Sequence, residues 1–336
     1  MRSNAASIVL FLSGLAVALA ASTTRAQDAE ASDDGASSVV ESRGPRTAQD
    51  DRRFGHPDHG GGETFAAWGS AAIFSGRLIG ADVTAVTGDV GMRLGMLDGD
   101  GRMSLDWGFV YAITRVRGSF GMAGSEERYD RELERVEAGN PVLAFDWSHL
   151  FGPVRFGLGL GVAIPVAARS NVPGNVDAAA ERQASEVAHA TYAAMHGAWN
   201  PWRTFAERAA WIVPLHLALE ADMVAILIEV AGAVTVPVLG GTRGIEGVMQ
   251  AAVDASFAVA PWARVGARAQ IVVFQIGASG SAGTEAQPSV EAYGRFEFEP
   301  AFFTVRGVMD FAGPYGFGGA ASGGWAIHLG GGAAVD

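Results

Sequence analysis

Between Ser104 and Arg115 the large side chains fall on every second position. Leu105, Trp107, Phe109, Tyr111 and Ile113 share one face, and Ser104, Asp106, Gly108, Ala112 and Thr114 share the other. Successive side chains of a strand point to opposite faces, whereas helical spacing would scatter those five large residues around an axis. The same period sorts Arg155 to Val166. There Phe156, Leu158, Leu160, Val162, Ile164 and Val166 oppose Arg155, Gly157, Gly159, Gly161 and Ala163. In Val290 to Glu299 the polar row is denser, with Glu291, Tyr293, Arg295, Glu297 and Glu299 opposite Val290, Ala292, Gly294, Phe296 and Phe298. A charged row that regular requires water or ionic partners.

From Glu63 onward the chain is a succession of such segments, each of roughly 10 to 16 residues, separated by Gly, Pro, Asp or Asn clusters. Candidate strands begin near Thr64, Asp82, Arg102, Asn140, Val154, Ala209, Met223, Gly247, Ala263, Val290, Phe302 and Gly324. Their connections alternate in length. The tight ones are Asp98-Gly99-Asp100-Gly101, Phe151-Gly152-Pro153, Glu220-Ala221-Asp222, Pro261-Trp262 and Glu299-Pro300, and the others are mostly longer. A soluble sandwich has no reason to segregate its loop lengths, and a membrane barrel does.

Composition narrows the classes. Hydrophobic residues make up 49% and charged residues 18%, with 46 glycines. Past the N-terminal segment, no stretch is uniformly apolar for the roughly 20 residues a membrane helix needs. Met223 to Leu239 comes nearest, but Glu229 sits mid-run and Pro237 near its end. As a strand it sends Glu229 to the inner face with Ala225, Leu227 and Ala231, which removes the cost of a carboxylate in hydrocarbon. Cysteine is absent, which excludes a disulfide framework, a thiolate metal site and a lipidated cysteine. A net charge of -12 with no basic stripe argues against nucleic acid.

Met1 and Arg2 precede an apolar run from Ala5 to Ala21 and the small-residue sites Ala18-Leu19-Ala20 and Thr24-Arg25-Ala26. This predicts a cleaved secretory signal over 1–26, the alternative being an uncleaved anchor. Residues 27–62 are polar, and His56-Pro57-Asp58-His59 within them is a weak metal motif, so they read as a disordered periplasmic tail.

In these patterns residues 63–336 resemble the bacterial outer-membrane β-barrel proteins, porin-like as a class and tied by no motif to one family. The chain departs from that class in ending Gly332-Ala333-Ala334-Val335-Asp336 instead of on an aromatic residue. The expected fold is all-β: a transmembrane antiparallel up-and-down barrel of about 12 strands, with one helical extracellular insertion over 169–208. The resemblance implies an outer-membrane location, with membrane lipid and the barrel-assembly machinery as partners. Twelve strands tilted near 40° give a backbone cylinder roughly 24 Å across and a bore of about 10 Å.

Two features bear on function. The insertion is Ala-rich from Asp177 to Gly197 and ends in Tyr192, Met195, Trp199, Trp202 and Phe205. That predicts a helix, serving either as a lid or constriction of the pore or as a helix packed on the rim. Strand parity also turns Arg155, Glu229, Asp254, Arg264, Arg268, Glu291, Arg295, Glu297 and Arg306 toward the lumen, with Asp310. They are candidate solute contacts for a small polar solute, or a self-paired network. No metal site, cofactor site or catalytic group is expected. Ser148 and His149 are adjacent and point to opposite faces, so they cannot act as nucleophile and base. Three readings remain open: a small-solute channel or solute-binding pore, a plugged surface barrel, and a soluble periplasmic β protein. The third requires Trp107, Phe145, Trp147 and Phe156 to be core.

Overall fold

The structure is a computed structural model and describes residues 65–78, 81–96, 101–120, 127–167, 176–221, 223–238, 246–275, 284–298, 300–311 and 325–335. The expected signal (1–26) and tail (27–62) lie outside the described residues.

The strands are β1 (Phe65–Leu78), β2 (Ala81–Met96), β3 (Gly101–Phe120), β4 (Glu127–Ala138), β5 (Val142–Phe151) and β6 (Val154–Ala163). Helix α1 (Val176–Met195) and a 3-10 turn (Pro201–Arg203) follow. The chain then continues through β7 (Arg208–Glu220), β8 (Val224–Pro237), β9 (Glu246–Ala260), β10 (Ala263–Gln275), β11 (Thr284–Phe298), β12 (Ala301–Asp310) and β13 (Trp325–Val335). All pairings are antiparallel, and β13 returns to β1 with Phe65 opposite Val335, which closes the sheet. β4 and β5 lie end to end along the same edge of β3, at Phe109–Phe120 and Gly101–Asp106 respectively. The thirteen segments therefore make a barrel twelve strands around, as the sequence predicts.

The tight connections gather at one end, where Met96 faces Gly101, Phe151 faces Val154, Ala260 faces Ala263 and Phe298 faces Ala301. Two sequence expectations need correction. Glu127–Ala138, expected to be part of a long loop, is a strand. β11 begins at Thr284 instead of near Val290. β4 escaped detection because its outer face carries Arg128, Asp130, Glu132 and Glu134, while its inner face carries Arg131 and Arg135. It stands above the apolar band and owes its pairing to β3, so it has no polar–apolar alternation to read.

The outer surface is aliphatic. On β7, Trp211, Val213, Leu215, Leu217 and Leu219 all point outward, with Trp211 59% and Leu219 45% exposed. Trp107, Phe145, Trp147 and Phe156, which a soluble protein would have to bury, are exposed as well. A belt this continuous needs hydrocarbon against it. Near the tight turns Trp262 stacks on Phe296 and Phe298 at 6.2 Å, the aromatic rim of a membrane barrel. Among the described residues no helix is long and apolar enough to cross a membrane.

Candidate functional site

The expected extracellular helix lies inside the barrel. From Ala190 to Met195 six consecutive residues of α1 are buried. A helix lying on a rim buries one stripe, so burial on every side means that wall surrounds it. Its alanines make this possible, because a helix with ordinary side chains is about 10–12 Å across and would overfill the bore. Where α1 does carry a large residue the wall gives way. A Cβ on Gly108 of β3 would stand 2.0 Å from the Tyr192 hydroxyl.

The first turns of α1 hang from β3 and β4. Tyr129 donates to Gln183 at 3.0 Å, and Arg131 and Arg135 pair with Asp177 and Glu181 at 3.6 and 3.1 Å. Deeper in, Ala180, Ala184, Val187 and Ala188 join Ala72, Phe74, Ala85, Val110, Ala112 and Val116 of the wall in one apolar cluster.

At the end of α1 the surroundings become polar. Asp89 of β2 accepts from the Tyr192 hydroxyl and meets His196 Nε2 at 2.8 Å, with Arg203 Nη1 at 3.6 Å. His196 Nδ1 meets the Tyr192 carbonyl at 2.8 Å, so both of its ring nitrogens face acceptors. Burial, together with the neighbouring Asp89 charge, pushes the Tyr192 phenol far up and keeps it a donor. From β13, His328 Nε2 donates to the Met195 carbonyl at 2.6 Å, while its Nδ1 faces Arg306 at 3.1 Å. Gly197, in the left-handed region at φ 61°, presents its carbonyl to Ser289 and Gln270, both at 3.1 Å. A side chain there would collide with both. Ala198 and Asn200 are also left-handed, at φ 55° and 57°. Asn200 makes a reciprocal pair with Gln250 of β9 at 3.0 Å, and Trp199 lies under Arg268 of β10 at 4.1 Å. The tip, residues 196–203, thus touches β2, β3, β9, β10, β11 and β13.

One side chain stitches the base of the insertion. Asn140, fully buried in the break between β4 and β5, donates through Nδ2 to the carbonyls of Trp202, Phe205 and Arg208. Its Oδ1 accepts from the backbone N–H of Val166 and Ala167 at 2.9 and 2.8 Å. It therefore holds both stems of the insertion.

Eight of the nine predicted lumen residues are buried on the inner face: Arg155, Glu229, Asp254, Arg264, Arg268, Glu291, Arg295 and Arg306. Glu297 is half-buried at the tight-turn mouth, 2.8 Å from Arg295. Arg268 pairs with Glu229 and Arg306 with Glu291 at 3.5 Å. Arg264 donates to Ser256 at 3.0 Å, and Asp254 accepts from Tyr293 at 3.0 Å. Asp310 is buried on the same face. Sequence reasoning missed Asp89, Asn140, Asp146 and Arg203. The first and third were legible by strand parity, whereas Asn140 and Arg203 lie outside regular strands. The lumen space left by Gly157 and Gly159 is filled by His216 and Asp146, whose atoms would stand 1.7 and 2.0 Å from added Cβ atoms. Ser148 is buried inward, and His149 lies outside between the rings of Trp147 and Phe151. No cluster of three metal-ligating side chains occurs among the described residues.

No protein-family model matches this sequence, and neither does any curated protein. Solved structures do match. An outer membrane channel from Pseudomonas putida F1 superimposes on 81% of this chain and 95% of its own, at a TM-score of 0.51 and 10% identity. A NanC porin structure covers 80% and 98% at a TM-score of 0.44 and 6% identity. The translocator domain of the autotransporter NalP from Neisseria meningitidis covers 82% and 89% at 0.42 and 10%. The chain has the fold of the bacterial outer-membrane β-barrels, a fold that by itself assigns no cargo.

Proposed function

We propose that the protein is an outer-membrane conduit for small polar solutes, closed by its own insertion, with the 196–203 tip as gate. On this reading residues 1–26 are a cleaved export signal and the assembly machinery inserts the barrel into outer-membrane lipid. The charged lumen contacts a small polar solute and performs no chemistry on it. The observation that carries the reading is the character of the closure. The tip meets the wall through hydrogen bonds and ion pairs at His196, Gly197, Asn200 and Arg203, which water can replace at little net cost, beside smaller apolar contacts at Ala198 and Trp202.

Single-channel recording in planar bilayers tests this, with full-length protein beside a form lacking residues 171–207. Intermittent conductance in the first and steady, larger conductance in the second are expected. Silence in both, from protein shown to be folded by heat-modifiable migration, would leave a plugged surface barrel as the function. The apolar seat of the α1 shaft favours that second reading.

A further inference from the structure

Helix α1 ends between two histidines with opposite surroundings. His328, from β13, donates through Nε2 to the Met195 carbonyl, and its Nδ1 lies 3.1 Å from Arg306 Nη2. A guanidinium offers only donors, so that Nδ1 presents its lone pair and the ring is neutral. His196, whose ring centre lies 4.9 Å from that of His328, meets acceptors on both sides. Its Nδ1 is 2.8 Å from the Tyr192 carbonyl, and its Nε2 is 2.8 Å from Asp89 Oδ2. Asp89 cannot be the donor in that contact. It already accepts from the Tyr192 hydroxyl and from Ser70 Oγ at 3.1 Å, with Arg203 Nη1 3.6 Å away. Nε2 therefore carries a hydrogen, and the Tyr192 carbonyl demands another on Nδ1. An imidazole that donates from both nitrogens is a cation.

The neighbouring charges agree. Among the described residues, the charged side chains that line the narrow space around His196 are Asp89, Asp106, Glu291, Arg203 and Arg306. Arg306 pairs with Glu291 at 3.5 Å, and Arg203 is shared between Asp89 and Asp106. Three carboxylates thus stand against two guanidinium groups, and an imidazolium at His196 brings the set to neutrality. His196 also directly follows the last turn of a 20-residue helix, where the aligned peptide dipoles favour positive charge. Its other close neighbours are the Tyr192 ring, stacked at 4.4 Å, and Gln270, which donates to the His196 carbonyl at 3.3 Å.

We infer that His196 is a proton-operated latch, which fastens the tip to β2 when doubly protonated and releases it when neutral. The inference rests on the reading of residues 196–203 as the gate. Without the second proton, one ring nitrogen turns a lone pair toward an oxygen 2.8 Å away, and an attraction becomes a repulsion. An imidazole in water changes charge between about pH 5 and pH 8. The seated tip retains a proton that a released, hydrated one gives up in that range. Rising pH therefore draws the tip off the wall, and falling pH seats it.

The test records single channels of the full-length protein from about pH 5 to about pH 8, beside His196→Gln, whose amide stays neutral throughout. Open probability of the natural chain is expected to rise about tenfold with the loss of one linked proton, and that of the variant to stay level. Nitrogen NMR of the histidine rings in detergent micelles supplies a readout that needs no current. His196 should show two protonated nitrogens where His328 shows one. Loss of the second proton should coincide with lost protection of the Asn200 amide, which donates to Gln250 across to the wall. If the variant fails to fold, the ring spectra and the Asn200 amide of the natural chain still decide. A single proton on His196 in the seated tip, or an equal pH response in the variant, overturns the inference. Channels that open but ignore pH remove the latch and keep the conduit. Silence at every pH, with a doubly protonated ring whose proton loss frees Asn200, removes the conduit and keeps the latch.

Discussion

The two halves of the insertion are held by different forces. The shaft of α1 lies against β1, β2 and β3 in an apolar cluster, while the tip beyond Met195 is held by Asp89, Ser289, Gln270 and Gln250, with smaller apolar contacts at Ala198 and Trp202. Apolar contact loses its full worth when broken, whereas a hydrogen bond exchanged for water loses about 1 kcal/mol. The lesson is that motion belongs to the tip. Withdrawing the whole helix would expose the shaft and its seat, whereas swinging residues 196–203 breaks mainly polar contacts, with Ala198 and Trp202 alone leaving buried places in smaller apolar clusters.

Attacking the shaft should therefore damage the fold, and attacking the tip should change the gate. The largest effect is expected from Val187→Asp. It places an unpaired charge at a fully buried position of the shaft, at a cost of several kcal/mol. Urea titration should show a lower midpoint or no folded form. A midpoint equal to that of the natural chain would erase the distinction between the two halves. Asn140→Ala comes next, at about 1–3 kcal/mol for each backbone group left dry. Amide exchange at Val166 and Ala167 should accelerate and channel opening should become more frequent while the barrel stays folded. Unchanged exchange would mean that the stems need no stitch.

Ala198→Gly has the opposite sign. It relieves a left-handed alanine, worth about 1 kcal/mol, and should stabilise the closed tip and shorten openings. Longer openings would mean that the strain is not in the closed state. The smallest effect concerns the β3–β4 rim, where a bidentate hydrogen bond from Arg115, supported by Arg117, holds the Asp130 carboxyl down at about 2. A depressed value means that the contact is at full strength above the ordinary value of 3.8 and fades as pH falls through about 2. Because the pair is exposed, only local exchange near residues 127–131 should respond, and the unfolding midpoint should not.

The barrel was legible because lipid outside and polar groups inside impose a period of two that nothing else in the chain disturbs. Leu105 to Ile113 and Val224 to Pro237 read as strands for that reason, and Glu229 announced the lumen by being the one charge in an apolar run. The same rule fails once a strand leaves the bilayer, as β4 does. The insertion was legible as a helix from its alanines. Its place inside was not, because an Ala-rich helix fits equally well on a rim until the wall opposite is known. Asn140 lay beyond local reading altogether, since its five partners come from two segments more than twenty residues away along the chain.

The stitch at Asn140 has a consequence for the order of assembly. It joins stems leaving β6 and entering β7 to the break between β4 and β5, while the tip they carry needs β2, β9, β10, β11 and β13. No run of strands from the N-terminal end supplies that set before β13, and none from the C-terminal end supplies it before β2. The insertion can take its full seat only when all strands but β1 are in place, so a seated tip reports a barrel at or next to completion. A half-built one remains an open sheet with its future lumen still wet.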